Sequence, residues 1–553
     1  MRRLSLVLGL LLLAVGGPIP AEAEPPYGPT TNNDPHNYGT YLNTVHVHGA
    51  TTAPWAAESL VAVGNLDGRG ADDVVEERNI YDTKGGTDTV ELIARDGATG
   101  APMWTRKQVV GNNEGHAIVA VGAPVGASGA PGVLEIDDTF TAWSLTALDG
   151  RGHQLWTRVL DGGSPGTGPV IEILLDVAVA LRPGAKDVLV TKHVYDSGSQ
   201  SVAFSAVSLA TGSLRSLVGG GAGSGFADGT QMGDVDGDGY ADLLSVVEGA
   251  ATTRLAVTRA VDGKTVWSRD EAALGSPKAL ASIRPVVGGG RDVVLVTQPP
   301  QTASDTNVQV MLLSGATGRT AWSHDGSTFY PLYRAGSLAL GVVRGTTSVS
   351  GGTETDTTTV SVYDGEGLLQ WRRTLSHDSP SDIYDGYPDD WASPDYGDLD
   401  GDGGVEGYLA AGQLGKFSDD VVSQVLRAKD GAVLAPFAKG QLPLHDRITP
   451  VGDDLQLVTV SHGIHVSVFD GVSRKWQWSR VVGQSGVSSA SVTPAHLSHH
   501  GCADLLVRGQ GPSRTTVGVL NSAGGIRWSI YRVLSDTGPG QLVHPTGQPA
   551  PRC

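Results

Sequence analysis

Asp234, Asp236, Asp238 and Asp242 occupy positions 1, 3, 5 and 9 of a short acidic stretch. In a tight loop such alternate positions project inward. Gly239 at position 6 permits the sharp turn, and Tyr240 at position 7 offers its main-chain carbonyl. Hard oxygen donors arrayed in this way suit Ca2+. A second copy runs through Asp398, Asp400, Asp402, Gly404 and Glu406. A weaker third copy has Asn65, Asp67 and Asp73, with Arg69 standing where the third ligand would be, so that a guanidinium takes the place of the ion's charge. An EF-hand needs a bidentate acid at position 12, and Ser245 and Leu409 stand there instead. The residues that follow the first loop, Leu243 to Val247, read as a strand rather than a helix. A degenerate last copy keeps only His496, Ser498 and His500 at ligand positions, so no ion is expected there. Cys502 lies in it, and a disulfide from Cys502 to the C-terminal Cys553 is the expected staple in place of an ion.

Other residue groups carry weaker chemistry. His46 and His48 share one face of an expected strand, a spacing that zinc ligands use, but no third ligand accompanies them. Gly162-Gly163-Ser164-Pro165-Gly166 matches a nucleophile-elbow pattern in a proline-glycine loop, which lacks the strand-to-helix context. The stretch Asp382, Tyr384, Asp385, Tyr387, Asp389, Asp390 and Trp391 combines carboxylates with aromatic faces. Carboxylates accept hydrogen bonds from sugar hydroxyls, aromatic rings stack on sugar C–H surfaces, and a carboxylate pair can do acid–base work on a glycoside. The plainer reading of that stretch is an acidic surface loop ordered by a nearby ion.

The elements that must position these groups come from a repeat. A β-rich run, an Asp-Gly or Thr-Gly turn and a second run centred on Trp recur about every fifty residues. The copies carry Trp104, Trp156, Trp267, Trp322, Trp371, Trp476 with Trp478, and Trp528; the copies at Thr211-Gly212 and Asp430-Gly431 lack the Trp. Asp-Gly supplies the positive φ of a tight turn, and a hairpin cannot bury its face alone. The acidic loops precede the hairpins. The spacing therefore predicts an all-β β-propeller of eight or nine four-stranded blades spanning 59–535, after a segment 24–58 that could lend a ring-closing strand and before a tail 536–553.

The run Asp234 to Asp242 resembles the calcium loop of FG-GAP or VCBS repeats, as in the integrin α-subunit head. The Trp hairpin is similar to quinoprotein-type propeller repeats. The resemblance implies a secreted propeller whose loops bind structural Ca2+. The quinoprotein dehydrogenases place an adjacent cysteine pair against their cofactor, and this chain has only Cys502 and Cys553, so quinone chemistry is not expected.

Composition narrows the partners. The 553 residues carry 39 basic and 58 acidic side chains, a net charge of −19 that disfavours nucleic acid and anionic lipid. Arg2 and Arg3, the apolar stretch Leu4 to Val15, and Ala21 with Ala23 read as a secretory signal over 1–23, too short to span a bilayer. No membrane insertion is expected, and the localisation expected is extracellular. The expected role is a monomeric binding or adhesion module for an extracellular glycan or protein. Two alternatives stay open: a carbohydrate-active lyase or hydrolase on the same scaffold, and an envelope scaffold or assembly factor.

Overall fold

The computed structural model describes residues 55–543 apart from stretches between strands, the longest being 381–406, 298–308, 412–421 and 438–448. The leader 1–23, His46 and His48, the Asp382–Trp391 stretch, the Asp398–Glu406 loop, Cys502 and Cys553 lie outside the described residues.

The first sheet shows how the repeat folds. Strands β1 (Trp55–Gly64), β2 (Asp73–Tyr81), β3 (Thr87–Arg95) and β4 (Pro102–Gly111) pair antiparallel in chain order. The β3–β4 turn is set by Asp96, whose carboxylate accepts the Thr99 amide at 2.8 Å, and by Gly100, which has a φ of 70°. The positive φ therefore falls on the later glycine of Asp96-Gly97-Ala98-Thr99-Gly100, not on the Asp-Gly pair as expected. Gly97 serves close approach instead, since a Cβ there would strike the Asp72 carbonyl.

Among the described residues nine antiparallel sheets follow one another along the chain, covering 55–111, 115–162, 170–223, 227–272, 277–325, 328–380, 407–437, 449–482 and 489–543. Side chains alternate across each strand, so a sheet can pack on both neighbours. Val75 joins a core with Ile118 and Val133 of the second sheet, whereas Val74, one residue earlier, joins Leu506, Val517 and Trp528 of the last. Comparable cores link the second sheet to the third, the third to the fourth and the fourth to the fifth. Others link the sixth to the seventh and the eighth to the ninth. The Trp528 indole donates to the Gly97 carbonyl at 2.8 Å, so the last sheet meets the first. The chain is an all-β propeller.

The expectation of eight or nine four-stranded blades is corrected to six among the described residues. Six sheets have four strands, those at 170–223 and 489–543 have five, and the one at 407–437 has three. The extra strands are short pieces on the strand that follows each hairpin or its neighbour: 221–223 pairs with 199–208, and 541–543 with 526–533. Among the described residues the last sheet is built from consecutive strands, and residues 55–58 open the first sheet. Among the described residues the last and first sheets are joined by packing and by the Trp528 bond.

Candidate metal centre

In an up-and-down sheet, the loop between the first two strands and the turn between the last two lie at the same end. The acidic loops therefore sit beside the hairpin turns. In the fourth sheet the loop spans Asp234 to Asp242, with Gly237 and Gly239 at φ 83° and 90°. Asp234 acts as the organiser. Its Oδ1 accepts the amides of Gly237 (2.7 Å) and Asp238 (3.0 Å), and its Oδ2 accepts that of Gly239 (2.7 Å). Asp236 accepts the Asp238 amide at 3.1 Å, and Asp238 accepts the Tyr240 amide at 2.9 Å. These bonds curl the loop so that carboxylate oxygens of Asp234, Asp236 and Asp242 lie within 4.8 Å of one another. Two oxygens on one Ca2+, each bonded at about 2.3–2.6 Å, stand at most about 5 Å apart, so the cluster is of the right size.

Asp242 is the buried member, 1% exposed at the start of the second strand. Its Oδ2 accepts the Val235 amide at 2.9 Å, and its Oδ1 is buried without a hydrogen-bond partner. Burial raises its carboxyl to about 6, against the Val235 amide and with help from the charges of Asp236, Asp238 and Asp234. A buried acceptor facing like charges is costly unless a cation satisfies it. When bound, a divalent ion would supply that charge, held by Asp234, Asp236 and Asp242, with Asp238 at the rim.

Equivalent acids in other sheets are satisfied differently. Asp73 is also buried and raised to about 6 by burial, but its oxygens take the amides of Leu66 (3.0 Å) and Gly97 (3.4 Å). In the same loop, Arg69 pairs with Asp67 at 3.2 Å and Asn65 accepts the Gly68 amide. Asn65, Asp67 and Asp73 therefore form a self-satisfied turn. Asp187 is held on both oxygens by Arg182, each at 3.1 Å. Asp504, in the copy that has lost its acidic ligands, is paired with Arg527 at 2.9 Å. Asp187 escaped sequence reading because the loop before it, Arg182-Pro183-Gly184, has no ligand pattern; the arginine is the replacement.

Around this end runs a belt of tryptophans. Trp104, Trp156, Trp267 and Trp478 donate to the carbonyls of Gly150 (3.0 Å), Leu209 (3.2 Å), Gly315 (2.5 Å) and Ser522 (3.0 Å), each in the next sheet's turn. A residue two after the Trp adds a second bond: Arg158 to Gly212, Arg269 to Gly318, Arg373 to Gly431, Arg480 to Gly524 and His324 to Gly367. The recurring Trp-x-Arg was the sequence signal for this pairing.

The first sheet also carries buried charge. Glu76, Glu77 and Arg78 are each at most 1% exposed. Glu76 pairs with Arg95 at 2.9 Å and Arg78 with Glu91 at 2.7 Å. On the opposite face Glu77 meets His116 Nδ1 at 2.9 Å, while His116 Nε2 faces Glu135 (3.4 Å) and Asp137 (3.8 Å). Arg106 binds Glu135, and Gln108 reaches Asp137 at 3.4 Å. Three consecutive charged residues inside a strand were the available signal for this seam.

No protein-family model matches the chain, and no curated protein matches it. Among solved structures the chain is similar to Sqt1 of Saccharomyces cerevisiae, with 11% identity over 86% of this chain and 97% of that one and a TM-score of 0.37. It is similar to a rhamnogalacturonan lyase of Bacillus licheniformis, with 14% identity, 80% and 75% covered and a TM-score of 0.38. It is also similar to a quinohemoprotein alcohol dehydrogenase of Comamonas testosteroni, with 11% identity, 91% and 77% covered and a TM-score of 0.31. The propeller assignment rests on strand topology and the contact between the last and first sheets, and the resemblance to FG-GAP and VCBS repeats stays at the level of the loop motif.

Proposed function

We propose that this chain is a secreted, Ca2+-binding propeller that serves as an extracellular binding module, with carbohydrate as the favoured ligand class. The observation that carries the calcium part is the partnerless, buried Oδ1 of Asp242 set against Asp234 and Asp236. At that repeat position Asp73 has amides, and Asp187 and Asp504 have an arginine, in the ion's stead. The carbohydrate part rests on the sequence of Asp382–Trp391, where acids alternate with aromatics. The repeat at Asp398–Glu406 is read as a second calcium loop by the same ligand pattern.

Ca2+ sites of extracellular modules bind at about 10⁻⁴–10⁻³ M, so millimolar Ca2+ contributes on the order of 1 kcal/mol per site. Melting in millimolar Ca2+ and in excess chelator tests the ion: Tm rises with Ca2+, and coincident melting curves would discard the calcium reading. A glycan array run beside a reducing-end release assay tests the module. Binding without new reducing or unsaturated ends supports it, and turnover would replace it with an enzyme.

A further inference from the structure

The residue that opens each hairpin turn donates its amide to the chain four or five residues on. In six of the eight turns described it is Asp96, Asp149, Ser208, Ser314, Asp364 or Asn521. Such side chains suit the position, because their oxygens can accept the turn's own amides, as Asp149, Asp364 and Asn521 do. The remaining two are Arg259 and Arg427, which have no acceptor to offer. These two arginines belong to the copies whose sequences carry the Asp234–Asp242 and Asp398–Glu406 acidic loops. The turn has given up its usual side-chain acceptor in the two blades where a neighbouring loop concentrates carboxylates.

The fourth sheet shows where the guanidinium goes. Arg259 Nε lies 2.8 Å from Asp238 Oδ2 and 3.3 Å from Asp236 Oδ2, and its Nη2 also bonds Asp238. Nη1 lies 3.6 Å from Asp262, in the same turn. The arginine therefore holds Asp236, a member of the three-carboxylate cluster, while Asp242 keeps its partnerless oxygen on the buried side. A divalent cation centred on that cluster needs Asp236 and would bring two positive charges close together. Asp238 and Asp262 give the guanidinium somewhere to retreat.

We propose that Arg259 is a built-in competitor of the cation: it neutralises Asp236 and Asp238 when the loop is ion-free and gives up Asp236 when Ca2+ binds. This rests on the calcium reading of the loop. The arginine then keeps affinity low and makes the ion-free ring less dependent on the metal.

Calorimetric titration of the full chain with CaCl2 tests this, following the binding component that is missing from Asp242→Asn. Arg259→Gln is expected to tighten that component about three- to tenfold, the range set by losing a partly exposed ion pair. Arg259→Lys, which keeps the charge but loses the fork, is expected to fall between the two and serves if the Gln variant does not fold. Thermal melting in chelator should place Arg259→Gln below wild type, with a larger rise on adding Ca2+. Affinity that is unchanged or weaker in Arg259→Gln, with wild type still binding, would overturn the competitor role and leave the site standing. No Ca2+ component in wild type or either Arg259 variant would remove the site and the competitor together.

Discussion

The Trp528 indole and the Gly97 carbonyl, 431 residues apart in sequence, are 2.8 Å apart in space. Trp528 is fully buried, packed with Val63 and Val74 of the first sheet and with Leu497 beside Gly97. This bond, with the apolar core around it, joins the last copy of the repeat to the first.

Trp528→Ala should lower stability by about 3–5 kcal/mol, the range for deleting a buried aromatic. Trp528→Phe keeps most of the packing but strands the Gly97 carbonyl, costing about 1–3 kcal/mol. Trp322 offers the control. Its Nε1 has no hydrogen-bond partner among the described residues, so Trp322→Phe should cost clearly less than Trp528→Phe. Urea unfolding of the three variants decides this, and equal costs for the two Phe variants would contradict it.

Asp242→Asn should separate the two roles of the acidic loop. The amide keeps an acceptor for Val235 and removes a charge that burial and three neighbouring aspartates disfavour. In chelator its Tm should match or exceed wild type, by on the order of 1 kcal/mol in stability. In millimolar Ca2+ the order should reverse, because wild type alone gains the ion. Asp67→Ala, in the self-satisfied first loop, should leave the response to Ca2+ intact, whereas Asp236→Ala should blunt it. A wild-type response to Ca2+ in Asp242→Asn would break this assignment.

The His116 seam should make stability depend on pH above neutrality. Burial alone pushes the imidazole toward its neutral form, but Glu77 and Glu135 outweigh it and hold the pKa well above the usual 6.5. A proton held more tightly in the folded state adds stability that is fully present below pH 6.5 and disappears as pH rises through the folded value. Glu135 works at the other end. Burial raises its pKa, but His116 and then Arg106 pull it below 4.5, so its contribution is lost as pH falls through that lowered value. Unfolding free energy should therefore decline from about pH 6.5 upward in wild type, beyond any decline in His116→Gln. Parallel profiles for the two proteins over pH 6.5–9 would show that the imidazole carries no extra proton.

Two glycines with similar dihedral angles should respond differently to alanine. Gly318 has a φ of 66°, and an added Cβ would lie 2.5 Å from the Trp267 ring. Gly237 has a φ of 83° and open space around it. Gly237→Ala should cost only the left-handed backbone penalty, about 1–2 kcal/mol. Gly318→Ala adds a displaced tryptophan and should cost about 1–3 kcal/mol more. Denaturant midpoints that fall equally would mean that the tryptophan yields freely.

The repeat was legible because its anchors are chemically distinctive: a turn glycine and a tryptophan at a fixed offset from it. The acidic loop at Asp234 was legible for a related reason, since carboxylates at alternate positions have few other uses. What the sequence hid were relationships between copies. Arg182 on Asp187 and Arg527 on Asp504 stand in for an ion as single arginines, and no ligand pattern announces such a substitution. The strand counts of the third, seventh and ninth sheets depend on pairings of a few residues, which periodicity does not resolve. Glu76, Glu77 and Arg78 have their partners on β3 and on the second sheet, and only assembly buries them.

The belt of indoles has a direction. Trp104, Trp156, Trp267 and Trp478 each reach forward to the turn of the next sheet, and Trp528 makes the same reach across the junction to Gly97. Seen this way the ring has no privileged first member. The junction of the last sheet with the first is simply one of several equivalent clasps.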